Sequence, residues 1–139
     1  MQRWDTRQKN LLLILARDVA SKLATPMFVV DADGTLVFFN EAAERVLGET
    51  FADAGELKRD EWSTAYEPVD DGGRQIPFEE LPLGIALTKG RPAHKTFRIR
   101  GADGVTRNLA ATAIPLLAHQ DDIVGGVALF WSEPHEEAS

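Results

Sequence analysis

Three histidines, His94, His119 and His135, are the side chains best suited to acid–base work or to ligating iron. His94 precedes an alternating apolar–polar run, and counting back from Phe97 points its ring away from Phe97 and Ile99. His119 stands beside a turn and His135 in a polar tail. None falls on a helix that would face a sheet, so all three read as solvated and haem is not expected. Asp70-Asp71, Glu79-Glu80 and Asp121-Asp122 are paired carboxylates, a grouping that can serve catalysis or a hard cation. They flank turns and a helix start, where solvated charge and the helix dipole account for them, so neither a catalytic residue nor a metal ligand is assigned. The chain has no cysteine, which excludes disulfides, thiolate nucleophiles and cysteine-ligated metal. It contains no phosphate-binding glycine loop, no Gly-x-Ser-x-Gly elbow and no His-Glu-x-x-His pair.

The chemistry that remains is that of an apolar surface, and the elements must present it. The 139 residues suffice for one domain, and a hydrophobic share of 44% with 27% charged residues is that of a folded chain. A net charge of −7 argues against nucleic acid as a partner. No run of about 18 apolar residues could span a membrane. The apolar stretch 11–16 is too short for the core of a secretory signal, so the cytoplasm is the default location.

The first element is a helix capped at Asp5 or Thr6 and stopped before Pro26. Leu12, Leu15, Ala16, Val19 and Leu23 form its inward stripe, and Leu11, Leu13 and Ile14 lie off it and call for a second contact surface. Residues 27–30 and 36–39 form a hairpin around Asp31-Ala32-Asp33-Gly34. Asn40 caps a short helix that ends at Gly48. Residues 49–77 read as irregular, with Trp62 and Tyr66 anchoring them to the core. Pro82 begins a further helix that Gly90 ends. Residues 95–100, 106–116 and 123–131 are strands, the last apolar enough to be central. The fold class is therefore α+β, with a five-stranded antiparallel sheet.

This order resembles a PAS domain. The stretch PMFVVDADGTLVFFNEAAERVLG (residues 26–48) resembles the opening of that family, PFEELPLGIALTKG (77–90) its long helix and lead-in, and AIPL with IVGGVALF its last two strands. The resemblance spans residues 23–132. It implies short helices on one face of the sheet, with the N-terminal helix flanking the other. Residues 1–24 are then a flanking, dimerising helix, 25–132 the PAS domain, and 133–139 an acidic tail or linker stub. One family feature is missing: Ser132, Glu133 and Pro134 stand where many members end the last strand in Asp-hydrophobic-Thr.

The resemblance implies a sensory or dimerising module with no catalysis of its own, and an output domain on this or another chain. The photochemical flavin adduct of some members needs a cysteine, which this chain lacks. Strand alternation, oriented by the resemblance, turns Phe28, Val30, Phe97, Ile99, Leu109, Ala111, Ala113, Gly126, Ala128 and Phe130 toward the helices. Several of these are very small, which leaves room for a small organic ligand in an apolar cavity. The same positions packed solid would give a module that serves dimerisation or protein contact alone. A small α+β enzyme of the isomerase or dehydratase type would need a buried Asp or His in that space, and every pocket-facing position is apolar. Trp4, Leu11 and Ile14 are the expected homodimer contacts.

Overall fold

The alternation read in the last three strands is realised in one antiparallel sheet, seen in a computed structural model that describes residues 2–119 and 122–132, with backbone alone for 2–10 and 119. The strands are β1 (Met27–Asp31), β2 (Leu36–Phe39), β3 (Ala93–Arg100), β4 (Thr106–His119) and β5 (Asp122–Ser132). Their order is β2-β1-β5-β4-β3, so the most apolar strand is central. Among the described residues five α-helices accompany them: α1 (Gln2–Ser21), α2 (Glu41–Leu47), α3 (Phe51–Ala54), α4 (Arg59–Ala65) and α5 (Pro82–Lys89). A 3-10 turn at Phe78–Glu80 leads into α5. Sheet and helices match the expected α+β class.

Strands β1, β2, β4 and β5 divide their side chains between two cores, and β3 contributes Phe97 and Ile99 to the larger one alone. Phe28, Val30, Ala111, Ala113, Ala128 and Phe130 join Trp62, Leu81 and Leu83 in the larger one, on the face covered by α2, α4 and α5. Met27, Val29 and Val127 turn the other way and meet Leu13, Ala16 and Ala20 of α1. A side chain at Gly125 would meet the Val30 carbonyl and Leu13, and one at Gly126 would meet Leu83. The glycine pair thus lets helices approach the central strand from both sides.

Local chemistry sets the boundaries. Gly34 turns the first hairpin at φ +87°, and Asp31 accepts the Asp33 and Thr35 N–H groups at 2.9 and 3.0 Å. Asn40 caps α2 by accepting the Ala43 N–H at 2.9 Å, and Gly48 ends it in the left-handed region. The edge of β3 is covered: Val69 and Arg98 exchange backbone hydrogen bonds, and the Arg100 N–H donates to the Tyr66 carbonyl.

Two expectations need correction. Residues 49–77 hold the short helices α3 and α4, stitched by the Glu61 carboxylate on the Lys58 N–H at 2.7 Å. Helix α1 starts at Gln2, so Asp5 and Thr6 lie within it, and its inward face is rotated. The small Ala16 and Ala20, with Leu13, lie on the sheet because they allow close approach. Leu15, Val19 and Leu23 are exposed instead, beside Leu11 and Ile14.

Candidate functional site

The larger core leaves a partly open cavity of about 80 Å³ between the sheet and the helices. Seven of the ten residues expected there line it: Phe28, Phe97, Ile99, Leu109, Ala111, Ala128 and Phe130. The space exists because Ala111 and Ala128, on the neighbouring strands β4 and β5, leave the middle of the sheet low. Val30, Ala113 and Gly126 share that face but lie outside the cavity. Leu83 and Leu87 of α5 stand over Gly126, and Ala113 is fully buried.

Half of the opposite wall comes from the stretch read as irregular. Trp62, Ser63 and Tyr66 lie on or just after α4, and Pro68 follows. Leu47 comes from the end of α2, and Leu81, Pro82 and Leu83 from the start of α5. The spacing of Trp62 and Tyr66, one helical turn apart, is the signal that could have placed them on one wall. Trp62 packs edge-on against Phe28 and Phe78, with centroids 5.0 and 5.7 Å away.

The polar atoms of the two large wall aromatics are committed elsewhere. The Trp62 indole N–H donates to the Gly34 carbonyl at 2.7 Å, and the Tyr66 hydroxyl donates to Glu49 Oε2 at 2.8 Å. The surface facing the cavity is apolar, and neither Asp nor His lines it. Such an apolar lining suits an apolar occupant better than water or a charged group. Its volume is also far below the roughly 300–1,000 Å³ of sites for drug-sized ligands.

Burial, reinforced by the Glu49 carboxylate, pushes the Tyr66 phenol well above its ordinary value. A raised folded-state value favours the protonated form, so this contribution to stability is present below pH of about 10 and is lost as pH rises further. Tyr66 is the only tyrosine, so phenolate absorbance reports on it alone. The native protein is expected to show no phenolate near pH of about 10. Its phenolate signal should appear only together with unfolding by circular dichroism. Reversible ionisation in that range with the fold intact would contradict this placement.

The other candidate groups lie apart from the cavity. His94 is exposed on the outer sheet face, Nδ1 2.8 Å from Thr112 Oγ1, with its ring beside Trp131. The side chain of His119, and His135 altogether, lie outside the described residues. Asp70 accepts the Gly72 and Arg74 N–H groups and pairs with the Arg74 side chain at 3.1 Å. The Arg74 backbone N–H is the main cause that holds its carboxyl below the usual value. Glu80 also pairs with Arg74, at 2.9 Å. These carboxylates brace turns, and Asp121 lies outside the described residues. Among the described residues, no group of three His, Cys, Asp or Glu side chains could hold a metal ion. No described helix is long and apolar enough to cross a membrane.

A five-stranded antiparallel sheet of order 2-1-5-4-3, with short helices over an apolar cavity, defines the class. A family model described as the PAS domain matches residues 17–82. The chain carries a PAS domain. Solved structures share the fold over most of the chain. The PAS domain of Bordetella pertussis BvgS is 18% identical, with 91% of this chain and 89% of that one covered and a TM-score of 0.58. The Rhodobacter sphaeroides LOV protein is 14% identical, covering 90% and 69% of the two chains, with a TM-score of 0.69. The LOV domain of the Erythrobacter litoralis EL346 blue-light activated histidine kinase is 18% identical, covering 82% and 100%, with a TM-score of 0.63. No curated protein sequence matches the chain.

Proposed function

We propose that this chain is a sensory or regulatory module of a signal-transduction protein, acting as a homodimer on an output domain carried by this or another chain. Its cavity takes a small apolar molecule. The similar domain of a histidine kinase supports the signalling role. The observation that carries the reading is the outer surface of α1. Leu11, Ile14, Leu15 and Val19 are 54%, 60%, 50% and 51% exposed although α1 is already seated on the sheet through another face. Ile114, Leu117 and Trp131 add exposed apolar surface on β4 and β5. The Trp4 side chain, also expected at the interface, lies outside the described residues. A twofold contact would bury the same stripe on both copies.

The cavity's size favours a second reading, a module that dimerises without a ligand. About 80 Å³ is room for two or three waters at about 30 Å³ each, or for a few carbon atoms. Paired substitutions measure how much of that space is free. Ala128→Leu places three carbons into the cavity and is expected to change stability by less than about 1 kcal/mol. Ala113→Leu, on the same sheet face but outside the cavity, should cost about 1–3 kcal/mol by overpacking. Urea unfolding of both variants gives the comparison. Equal losses would mean that the cavity is not free space, and only the dimerising role would stand.

A further inference from the structure

Helix α1 ends without a glycine cap: the residues after Ser21 are Lys22, Leu23, Ala24 and Thr25. Its last turn carries no basic side chain. Its apolar contact with the domain is thin, made by Leu13 and two alanines. Local groups close its last turn: the Lys22 N–H donates to the Val19 carbonyl at 3.0 Å, the Leu23 N–H to the Ala20 carbonyl at 3.2 Å and the Ser21 hydroxyl to the Asp18 carbonyl at 2.8 Å. A side chain from elsewhere in the fold adds the tie between this end, its linker and the domain. The Asn40 amide nitrogen donates to the Ala20 carbonyl at 2.9 Å and to the Thr25 carbonyl at 2.8 Å, with the Leu23 carbonyl at 3.4 Å. The same carboxamide's oxygen accepts the Met27 N–H at 3.0 Å and the Ala43 N–H at 2.9 Å. Only this orientation works, because every neighbour of the nitrogen is a carbonyl and every neighbour of the oxygen is an N–H. Asn40 is 1% exposed, so no water stands in for these partners.

We propose that Asn40 is a latch: the oxygen of its carboxamide caps α2 while the nitrogen holds the end of α1 and its linker to the domain. The two halves of the side chain have separate tasks. The oxygen's task is local and would be met by any good capping residue. The nitrogen's task is a tertiary contact to carbonyls 15 to 20 residues earlier in the chain. The latch also joins α1 to the cavity wall. Helix α2 runs from the Asn40 cap to Leu47, which lines the cavity. Its far end is pinned by the Arg107 guanidinium on the Val46 carbonyl at 2.9 Å and by the Ala102 N–H on the Leu47 carbonyl at 2.8 Å. The same short helix therefore carries the latch at one end and a residue of the cavity wall at the other.

Asn40→Asp separates the tasks. Aspartate caps a helix as well as asparagine does but has no N–H to donate, and its carboxylate would face the Ala20 and Thr25 carbonyls. Hydrogen exchange of the full chain, at one protein concentration, is read over residues 11–24 and over β5. In Asn40→Asp, residues 11–24 are expected to exchange at least about tenfold faster, the loss that follows from about one charge-free hydrogen bond and its desolvated partner, while β5 stays within about threefold of the parent. Asn40→Ser, a neutral cap that is too short to bridge both groups, should repeat the pattern and guards against a failure of the aspartate variant to fold. Unchanged exchange over residues 11–24 in either folded variant overturns the latch. So does acceleration of α1 and β5 in step, or loss of the fold in both variants, since Asn40 would then be a general determinant of the core.

Discussion

Replacing Trp62 with alanine is expected to lower stability by about 3–5 kcal/mol, among the largest effects of any single change in this domain. The indole is buried at 7% exposure and stands between Phe28 and Phe78, so its loss enlarges an existing cavity. The wall cannot collapse to fill it, because Phe28 also stacks with Phe39 and meets Phe130 edge-on. The Gly34 carbonyl loses its donor as well. Trp62→Phe restores most of the volume but not that hydrogen bond, and should cost about 1–3 kcal/mol. Thermal melts of the three proteins provide the check, with Trp62→Ala lower by roughly 10–20 °C. A Trp62→Ala protein that melts within a few degrees of the parent would mean that α4 is not a working wall of the core.

Gly84→Ala should be comparably severe, through the opposite cause. A Cβ at Gly84 would fall on the carbonyl oxygen of Phe78, and both partners are backbone. The 3-10 turn and the first turn of α5 are packed against each other at this point, and Leu81, Pro82 and Leu83 between them line the cavity. Relief requires the turn to move away from α5, at a cost of about 3 kcal/mol or more. The variant is expected to lose cooperative unfolding in urea or shift its midpoint strongly downward. The neighbouring exposed change Glu79→Ala should leave the midpoint nearly unmoved. A Gly84→Ala midpoint equal to that of the parent would contradict the close approach of these two segments.

What the sequence disclosed and what it hid have a common physical basis. Alternation is local and has a period of two, so Phe97 and Ile99 could be separated from Arg98 and Arg100, and His94 turned outward, without knowledge of partners. The Asn40, Gly48, Pro82 and Gly90 boundaries follow from caps that need only their neighbours. Helix α1 was harder because it carries more apolar residues than one buried face requires. Periodicity cannot tell which of two stripes stays in the chain's own fold. The large side chains suggested Leu12, Leu15 and Val19, whereas Leu13 and two small alanines seat the helix and leave Leu15 and Val19 outside. Helix α4 spans seven residues, too short for a repeat, so the part of the cavity wall made by Trp62, Ser63, Tyr66 and Pro68 went unread. The nitrogen side of Asn40 was invisible because its partners are distant in the chain.

The central claim is that the exposed stripe of α1 makes this domain a homodimer, and sedimentation equilibrium of the full chain at micromolar concentration tests it most directly. Burial of a leucine or isoleucine from full exposure yields about 1.5–3 kcal/mol, so four half-exposed residues on each of two copies supply enough to meet much of the association cost of about 4–15 kcal/mol. The parent chain is predicted to sediment with the mass of two chains. The double change Leu11→Glu with Ile14→Glu should sediment as one, with its melting temperature as a folded monomer preserved. A parent chain that sediments as a monomer throughout that range would contradict the account.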